Sequence, residues 1–388
     1  MGQFDKVTEL LKSFLEYGPA GCSCAIWKGD TKVYENYVGY ADLDTKKPIL
    51  PDTIFRIYSM SKIITCTAAL MLYERGRFLL NDPLYEYLPE FKDMQVYHCR
   101  PNGKYYTSPA RNPIRIKDLF TMTSGITYGD MDSESGKEAA KALREALKDE
   151  NVAQKYDVRM LCEILAKIPL AFEPGTHWHY GYSHDVLGAL IEVISGKKFS
   201  QFLHDEIFEP LGMKDTFFRI PEEKRDRLCS MYRKEKDGSL KKETGMDRFY
   251  QPNAIFESGG GGLLSTLEDY GRFARMLVNG RQLDGVRILG RKTVQLMASN
   301  HLTPEQIEDI TWSHMAGYGY GLGVRVMMNP QKGGINGSIG EFGWSGMAGT
   351  WVLMDPTENL TVVFMQQLLS NLEPYMIPRL RNVIYGCI

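Results

Sequence analysis

Apolar residues recur along this chain with two periods, and the places where the period changes divide it. Phe4, Val7, Leu10, Leu11, Phe14 and Leu15 are spaced as on one face of a helix, which predicts an amphipathic helix over 3–17, stopped by Gly18-Pro19. Cys22 to Lys28 and Thr31 to Tyr40 read as two strands around a Gly29-Asp30 turn, and Thr53 to Ile57 as a third, short one. From Ser61 to about Arg75 the period lengthens: Ile63, Ile64, Cys66, Thr67, Leu70, Met71 and Tyr73 predict a long helix. The middle of the chain stays helical in texture, including a solvated stretch rich in Ala, Glu and Lys from Glu134 to Asp149. Residues 97–113 carry Pro and Gly and predict an exposed excursion. Residues 220–250 are charged and predict a mobile segment. Strand texture returns at Tyr320 to Met327, Phe342 to Met347, Thr350 to Asp355 and Thr361 to Gln366, and Pro374 to Tyr385 predicts a closing helix. The pattern predicts an α+β protein: an antiparallel sheet flanked by terminal helices, with a large all-helical insertion. The sheet domain takes residues 1–60 plus 316–388 and the helical domain 61–315, with the active site at their junction.

Composition narrows the function classes. The chain has 388 residues, 43% hydrophobic and 24% charged, with a net charge of −2. No basic excess points to nucleic acid and no acidic tail to a charged partner. The N-terminal residues lack the apolar core of a signal peptide, and the helix after Ser59 is too short and too broken by Thr65 and Thr67 for a membrane span. The expectation is a cytoplasmic protein without a membrane partner. The seven cysteines, odd in number and mostly inside apolar patterns, read as free, buried thiols.

The chemistry gathers where the third strand hands over to the long helix, in Phe55-Arg56-Ile57-Tyr58-Ser59-Met60-Ser61-Lys62. Ser59 and Lys62 stand one turn apart on one helix face. A serine hydroxyl needs a group to take its proton, and a lysine in an apolar pocket can have its pKa lowered enough to do so. The bland alternative is an N-cap serine and a surface lysine. The run as apolar as Ile63 to Tyr73 that follows favours the functional reading.

Two further passages stand out. In Glu173-Pro174-Gly175-Thr176-His177-Trp178-His179-Tyr180 a turn delivers aromatic residues just before a helix. A tyrosine aimed into a cleft beside an ammonium has a depressed pKa and can relay the serine's proton, and an aromatic plug is the alternative. His177 and His179, with His184-Asp185 nearby, resemble part of a zinc set, but no HExxH accompanies them and no metal is expected. In Gly343-Trp344-Ser345-Gly346-Met347 a strand edge could offer an N–H to a carbonyl oxygen. The glycine run 259–262 lacks the ending of a phosphate loop and reads as tight packing.

Taken together, Ser59-Met60-Ser61-Lys62, Tyr180-Gly181-Tyr182 and Trp344-Ser345-Gly346 resemble, in order, the three motifs of the serine β-lactamase and penicillin-binding-protein superfamily. The chain is most similar to its class C-like, β-lactamase-related esterases. Ile116 to Gly125 and Ser258 to Thr266 support the likeness. The resemblance implies that Ser59 attacks an ester or amide carbonyl, that Lys62 and Tyr180 share the proton transfers, and that an acyl-enzyme forms. It implies an oxyanion hole from the N–H groups of Ser59 and Met347, and no cofactor. Two departures bear on the substrate. Tyr182 replaces the asparagine that binds a substrate amide, and Trp344 replaces the lysine that holds a substrate carboxylate. A cleft of Tyr58, Trp178, Tyr182, Trp344, Ser345 and Gly346 suits a small uncharged ester, with weak or no β-lactamase activity. The alternatives are a D-amino-acid peptidase, amidase or β-lactamase, and an inactive ligand-binding member of the fold.

Overall fold

The computed structural model describes residues 2–130, 133–148, 154–278, 282–369 and 372–388. Helix α1 (Asp5–Phe14) precedes strands β1 (Gly21–Lys28), β2 (Thr31–Asp42) and β3 (Lys47–Pro48). Helices α2 (Ser61–Glu74), α3 (Ser183–Ser195) and α4 (Leu267–Val278) lie in the middle of the chain. Strands β4 (Tyr318–Tyr320), β5 (Arg325–Met327), β6 (Phe342–Ser345), β7 (Trp351–Asp355) and β8 (Leu360–Gln366) follow, then helix α5 (Glu373–Tyr385). The two chain ends build one eight-stranded antiparallel sheet in the order β4-β5-β6-β7-β8-β1-β2-β3.

Strand β1 is central and buried on both faces, which is why it reads as a nearly unbroken apolar run. Cys22, Cys24 and Ile26 face a cluster with Val7, Leu11 and Phe14 of α1 and Met376 and Leu380 of α5, so the terminal helices cover one face together. Ala25 and Trp27 face the other core, under α4. There Gly271 lies against the indole of Trp27. A Cβ at that position would come within 2.4 Å of the ring, so only glycine lets the helix approach this closely. Every residue of α2 from Ser61 to Leu72 is buried, so this helix runs through the interior instead of presenting one apolar stripe.

The structure departs from the pattern in four places. Only Phe55–Arg56 of the third predicted strand is extended, and it pairs with Leu264–Ser265 in a separate ribbon. The predicted excursion is an antiparallel hairpin, Gln95–Cys99 with Tyr105–Pro109, so the segment between α2 and α3 is not all helical. The helix from Glu134 is described to Ala146, with Asp149 outside the described residues, and it is not solvated all round because Leu143 and Leu147 face a cleft. Residues 220–250 contain paired strands at Tyr232–Lys234 and Leu240–Lys242, the first also pairing with Leu368–Leu369. Among the described residues no helix is long and apolar enough to cross a membrane.

Candidate active site

Ser59 sits on a tight turn, Tyr58–Met60, that feeds directly into α2. The turn is clamped from several sides. The Ile57 N–H donates to the Leu263 carbonyl (3.1 Å), the Arg56 N–H to Gln367 Oε1 (3.1 Å), and the Tyr270 hydroxyl to the Met60 carbonyl (2.9 Å). Tyr58 takes φ = +42°, a conformation that non-glycine residues rarely adopt and that a surrounding structure must enforce. The strain lies one residue before the candidate nucleophile.

Lys62 is fully buried beneath this turn. Its ammonium donates to Ser59 Oγ (3.1 Å), to Tyr128 Oη (3.0 Å) and to the Gly260 carbonyl. It also lies 4.7 Å from the ring centre of Tyr180, facing the π-surface and not the hydroxyl. The expectation that its surroundings lower its pKa is corrected here. Burial does oppose the charged form, but Tyr128, Tyr180 and Asp185 outweigh it and raise the pKa, so Lys62 is an ammonium at neutral pH. Asp185, 1% exposed, accepts from Ser258 Oγ (2.5 Å) and the Gly260 N–H (3.2 Å). Burial raises its pKa while Lys62 and these two donors oppose the rise. His184 is buried beside Cys66 and the Phe120 carbonyl. Desolvation and the Lys62 charge pull it down to about 3, so it is neutral.

The glycine run explains itself at this point. A Cβ on Gly259 would meet the His184 carbonyl at 2.4 Å, and one on Gly260 would meet the Asp185 carboxylate at 2.5 Å. The backbone must come this close for the Gly260 carbonyl to reach Lys62 and its N–H to reach Asp185.

Above Lys62 opens a cleft of about 710 Å³. Tyr58, Ser59, Tyr180, Tyr182, Trp344, Ser345, Gly346 and Met347 all line it. Tyr180 and Trp344 are joined: the indole N–H donates to Tyr180 Oη at 3.0 Å. Gly346 packs so tightly on the Ile57 carbonyl that a Cβ would come within 2.4 Å, which ties the loop carrying Met347 to the Ser59 turn. Trp178 is the exception and a correction. It stacks behind Tyr180 (6.2 Å, 27°), is 6% exposed and does not line the cleft, because its ring turns inward to Tyr320. The histidines flanking it do not converge: His177 faces Asp309 and His179 faces Asp130.

Several lining residues were not singled out in the sequence. Tyr128 stands three residues beyond Ile116–Gly125 and packs edge-on against both Tyr180 (5.6 Å) and Tyr182 (4.6 Å). Burial pushes its hydroxyl well above the usual tyrosine range, with Lys62 opposing. Met246, Phe249 and Tyr250 come from the charged 220–250 segment, where three apolar residues among charges were the available signal. Trp312, His314 and Glu373 complete the opposite end.

The profile of the family described as Beta-lactamase matches residues 6–382. The chain belongs to the Beta-lactamase family. Within the reach of that family, the chain is 33% identical over 353 residues to Protein Rv1367c of Mycobacterium tuberculosis, covering 90% of this chain and 86% of that one. It is 26% identical over 364 residues to Esterase EstB of Burkholderia gladioli, covering 86% and 82%. The unliganded Simvastatin Synthase (LovD) of Aspergillus terreus superposes with a TM-score of 0.84 at 20% identity, covering 100% of this chain and 98% of that one, which establishes the shared Beta-lactamase-family fold.

Proposed function

We propose that this protein is a serine hydrolase that forms an acyl-enzyme at Ser59 and hydrolyses small carboxylic esters, or passes their acyl group to an acceptor. The observation that carries the reading is the 3.1 Å hydrogen bond from a fully buried Lys62 ammonium to Ser59 Oγ at the floor of an aromatic cleft. Acting as general base, Tyr180 Oη, which accepts the Trp344 N–H, takes the Ser59 proton as Oγ attacks the ester carbonyl. The tetrahedral oxyanion is held by the N–H groups of Ser59 and Met347. As the ester C–O bond breaks, Tyr180 returns the proton to the leaving alkoxide. Water or an acceptor alcohol then gives its proton to Tyr180 and attacks the acyl carbon, and as the bond from the acyl carbon to Oγ breaks Tyr180 returns that proton to Ser59 Oγ.

Support for an ester over a penicillin comes from the third motif. Trp344 offers an apolar face and one N–H, already given to Tyr180, where a lysine would hold a carboxylate. The names of related proteins, an esterase and an acyltransferase among them, agree with this class. The test is intact-protein mass after mixing with p-nitrophenyl butyrate and, separately, benzylpenicillin. The expected result is an ester burst and an acyl adduct in the wild type, both absent in Ser59→Ala. An adduct that survives in Ser59→Ala, or penicillin turnover matching ester turnover, overturns the reading.

A further inference from the structure

The run from Gly259 to Gly262 has no side chain to fix its path, and a glycine backbone is the loosest of any residue's. Yet Gly260 must hold its carbonyl against the Lys62 ammonium. That placement is enforced from outside the run. The Gly261 and Gly262 N–H groups fold back on the Ser258 carbonyl (3.3 and 2.9 Å). From α2, Thr65 Oγ1 reaches the Gly259 carbonyl (2.7 Å) and Ser61 Oγ accepts the Leu263 N–H (3.1 Å). From α3, Asp185 grips the turn at two points through one oxygen, Oδ1, which accepts from Ser258 Oγ (2.5 Å) and from the Gly260 N–H (3.2 Å).

Gly260 is therefore held on both sides of its Cα, by Asp185 at the N–H and by Lys62 at the carbonyl. Hydrogen bonds run without a break from Asp185 through Gly260 to Lys62 and on to Ser59 Oγ. The needs of α3 do not account for this arrangement. An acid in the first turn of a helix gains from the helix dipole while remaining in water, whereas Asp185 is 1% exposed, and burying a carboxylate is costly. Against burial, Asp185 joins Tyr128 and Tyr180 in favouring the ammonium form of Lys62.

We propose that Asp185 is a positioning residue for the reaction: by pinning Ser258 and Gly260 it aims the Gly260 carbonyl at Lys62 and so fixes the ammonium beneath Ser59 Oγ. A loosened turn leaves Lys62 free to swing with its carbonyl partner, and a misplaced group next to the nucleophile slows the chemical step more than it weakens substrate binding. The proposal rests on the reading that Ser59 is acylated.

The experiment measures kcat and KM for p-nitrophenyl butyrate in wild type, Ser59→Ala, Asp185→Ala, Asp185→Asn and Ser258→Ala, with urea unfolding of each and rates referred to the folded fraction. Asp185→Ala releases both grips and should lower kcat about a hundredfold. Asp185→Asn keeps one acceptor oxygen and should recover part of that loss, to about tenfold below wild type, and Ser258→Ala, which releases one grip, should fall about threefold. KM should stay within about threefold throughout. A purely structural role would lower the unfolding midpoint and leave the kcat of the folded fraction at the wild-type value, which overturns the proposal. A raised KM at unchanged kcat overturns it as well, because Asp185 would then act on substrate binding. If Asp185→Ala does not fold, Asp185→Asn and Ser258→Ala decide, and wild-type kcat in both is a refutation. Turnover that persists in Ser59→Ala sinks the acyl-enzyme reading and this proposal with it. Turnover lost in Ser59→Ala but kept in the Asp185 variants sinks the positioning role alone.

Discussion

Two tyrosines compete for the role of proton carrier, and their contacts predict opposite phenotypes when each hydroxyl is removed. The Lys62 ammonium has three hydrogens, given to Ser59, Tyr128 and Gly260. Tyr128→Phe strands one of them in a fully buried site. A charged donor left without a partner there costs on the order of 1–3 kcal/mol. That cost falls mainly on folding, with a fall in kcat/KM of about tenfold as Lys62 loses one anchor. Tyr180→Phe removes the oxygen that the mechanism loads with the Ser59 proton. General-base loss of this kind costs about 10²–10⁴ in rate. Its stability cost is smaller, because the Trp344 N–H it leaves unpaired borders the open cleft. The assay is kcat and KM with p-nitrophenyl butyrate, together with urea unfolding of both variants. Tyr128→Phe should lose more stability, and Tyr180→Phe more turnover. If Tyr180→Phe keeps kcat within tenfold of wild type while Tyr128→Phe falls more than a hundredfold, Tyr128 carries the proton and the assignment is wrong.

Three further outcomes follow from contacts elsewhere. Trp344→Phe keeps the aromatic wall but removes the 3.0 Å N–H donated to Tyr180, so kcat should fall about tenfold, the value of one directed hydrogen bond, with KM little changed in steady-state assays. Gly271→Ala forces a Cβ into the indole of Trp27 between α4 and the sheet and should destabilise the fold by about 1–3 kcal/mol in urea titration, with cleft binding unaffected in the folded fraction. Asp269 accepts from the Asp215 N–H (2.7 Å) and the Thr216 hydroxyl (3.0 Å), yet burial raises its pKa from 3.8 to about 6, these hydrogen bonds opposing. A carboxyl whose folded pKa is raised stabilises while protonated. Its contribution is full below about pH 4 and is lost as pH rises through 6. Asp269→Asn should therefore gain on the wild type by on the order of 2–3 kcal/mol between pH 4 and 6.5 in pH-dependent denaturation, and a constant difference would refute the assignment.

What the sequence made legible was what lies close together in it. Ser59 and Lys62 share one turn, and Tyr180 and Trp344 each sit in a short aromatic-and-glycine passage, so local spacing was enough to single them out. The sheet was legible because β1, β7 and β8 are apolar runs bounded by turns and β2 follows β1 across the Gly29-Asp30 turn. Tyr128, Met246, Phe249, His314 and Glu373 reach the cleft from four different passages, where side-chain direction is set by tertiary packing and not by period. Trp178 fails for the same reason in reverse. It belongs to the right passage, but packing against Tyr320 turns its ring inward behind Tyr180. The charge state of Lys62 was misread because apolar sequence neighbours advertise burial. The groups that overrule burial, Tyr128, Tyr180 and Asp185, come from elsewhere in the chain.

The pairing of β1 with β8 joins Cys22 to Gln366, roughly 340 positions apart. During synthesis at about 5–20 residues per second, the apolar strand β1 waits tens of seconds for the neighbour that completes its hydrogen bonds. The loop carrying Gly346 and Met347 reaches the Ser59 turn only in the same late phase. A ribosome-bound chain stopped before β6 therefore displays Ser59 and Lys62 without the loop that walls the cleft. It also displays an unpaired edge that holding chaperones would have to cover.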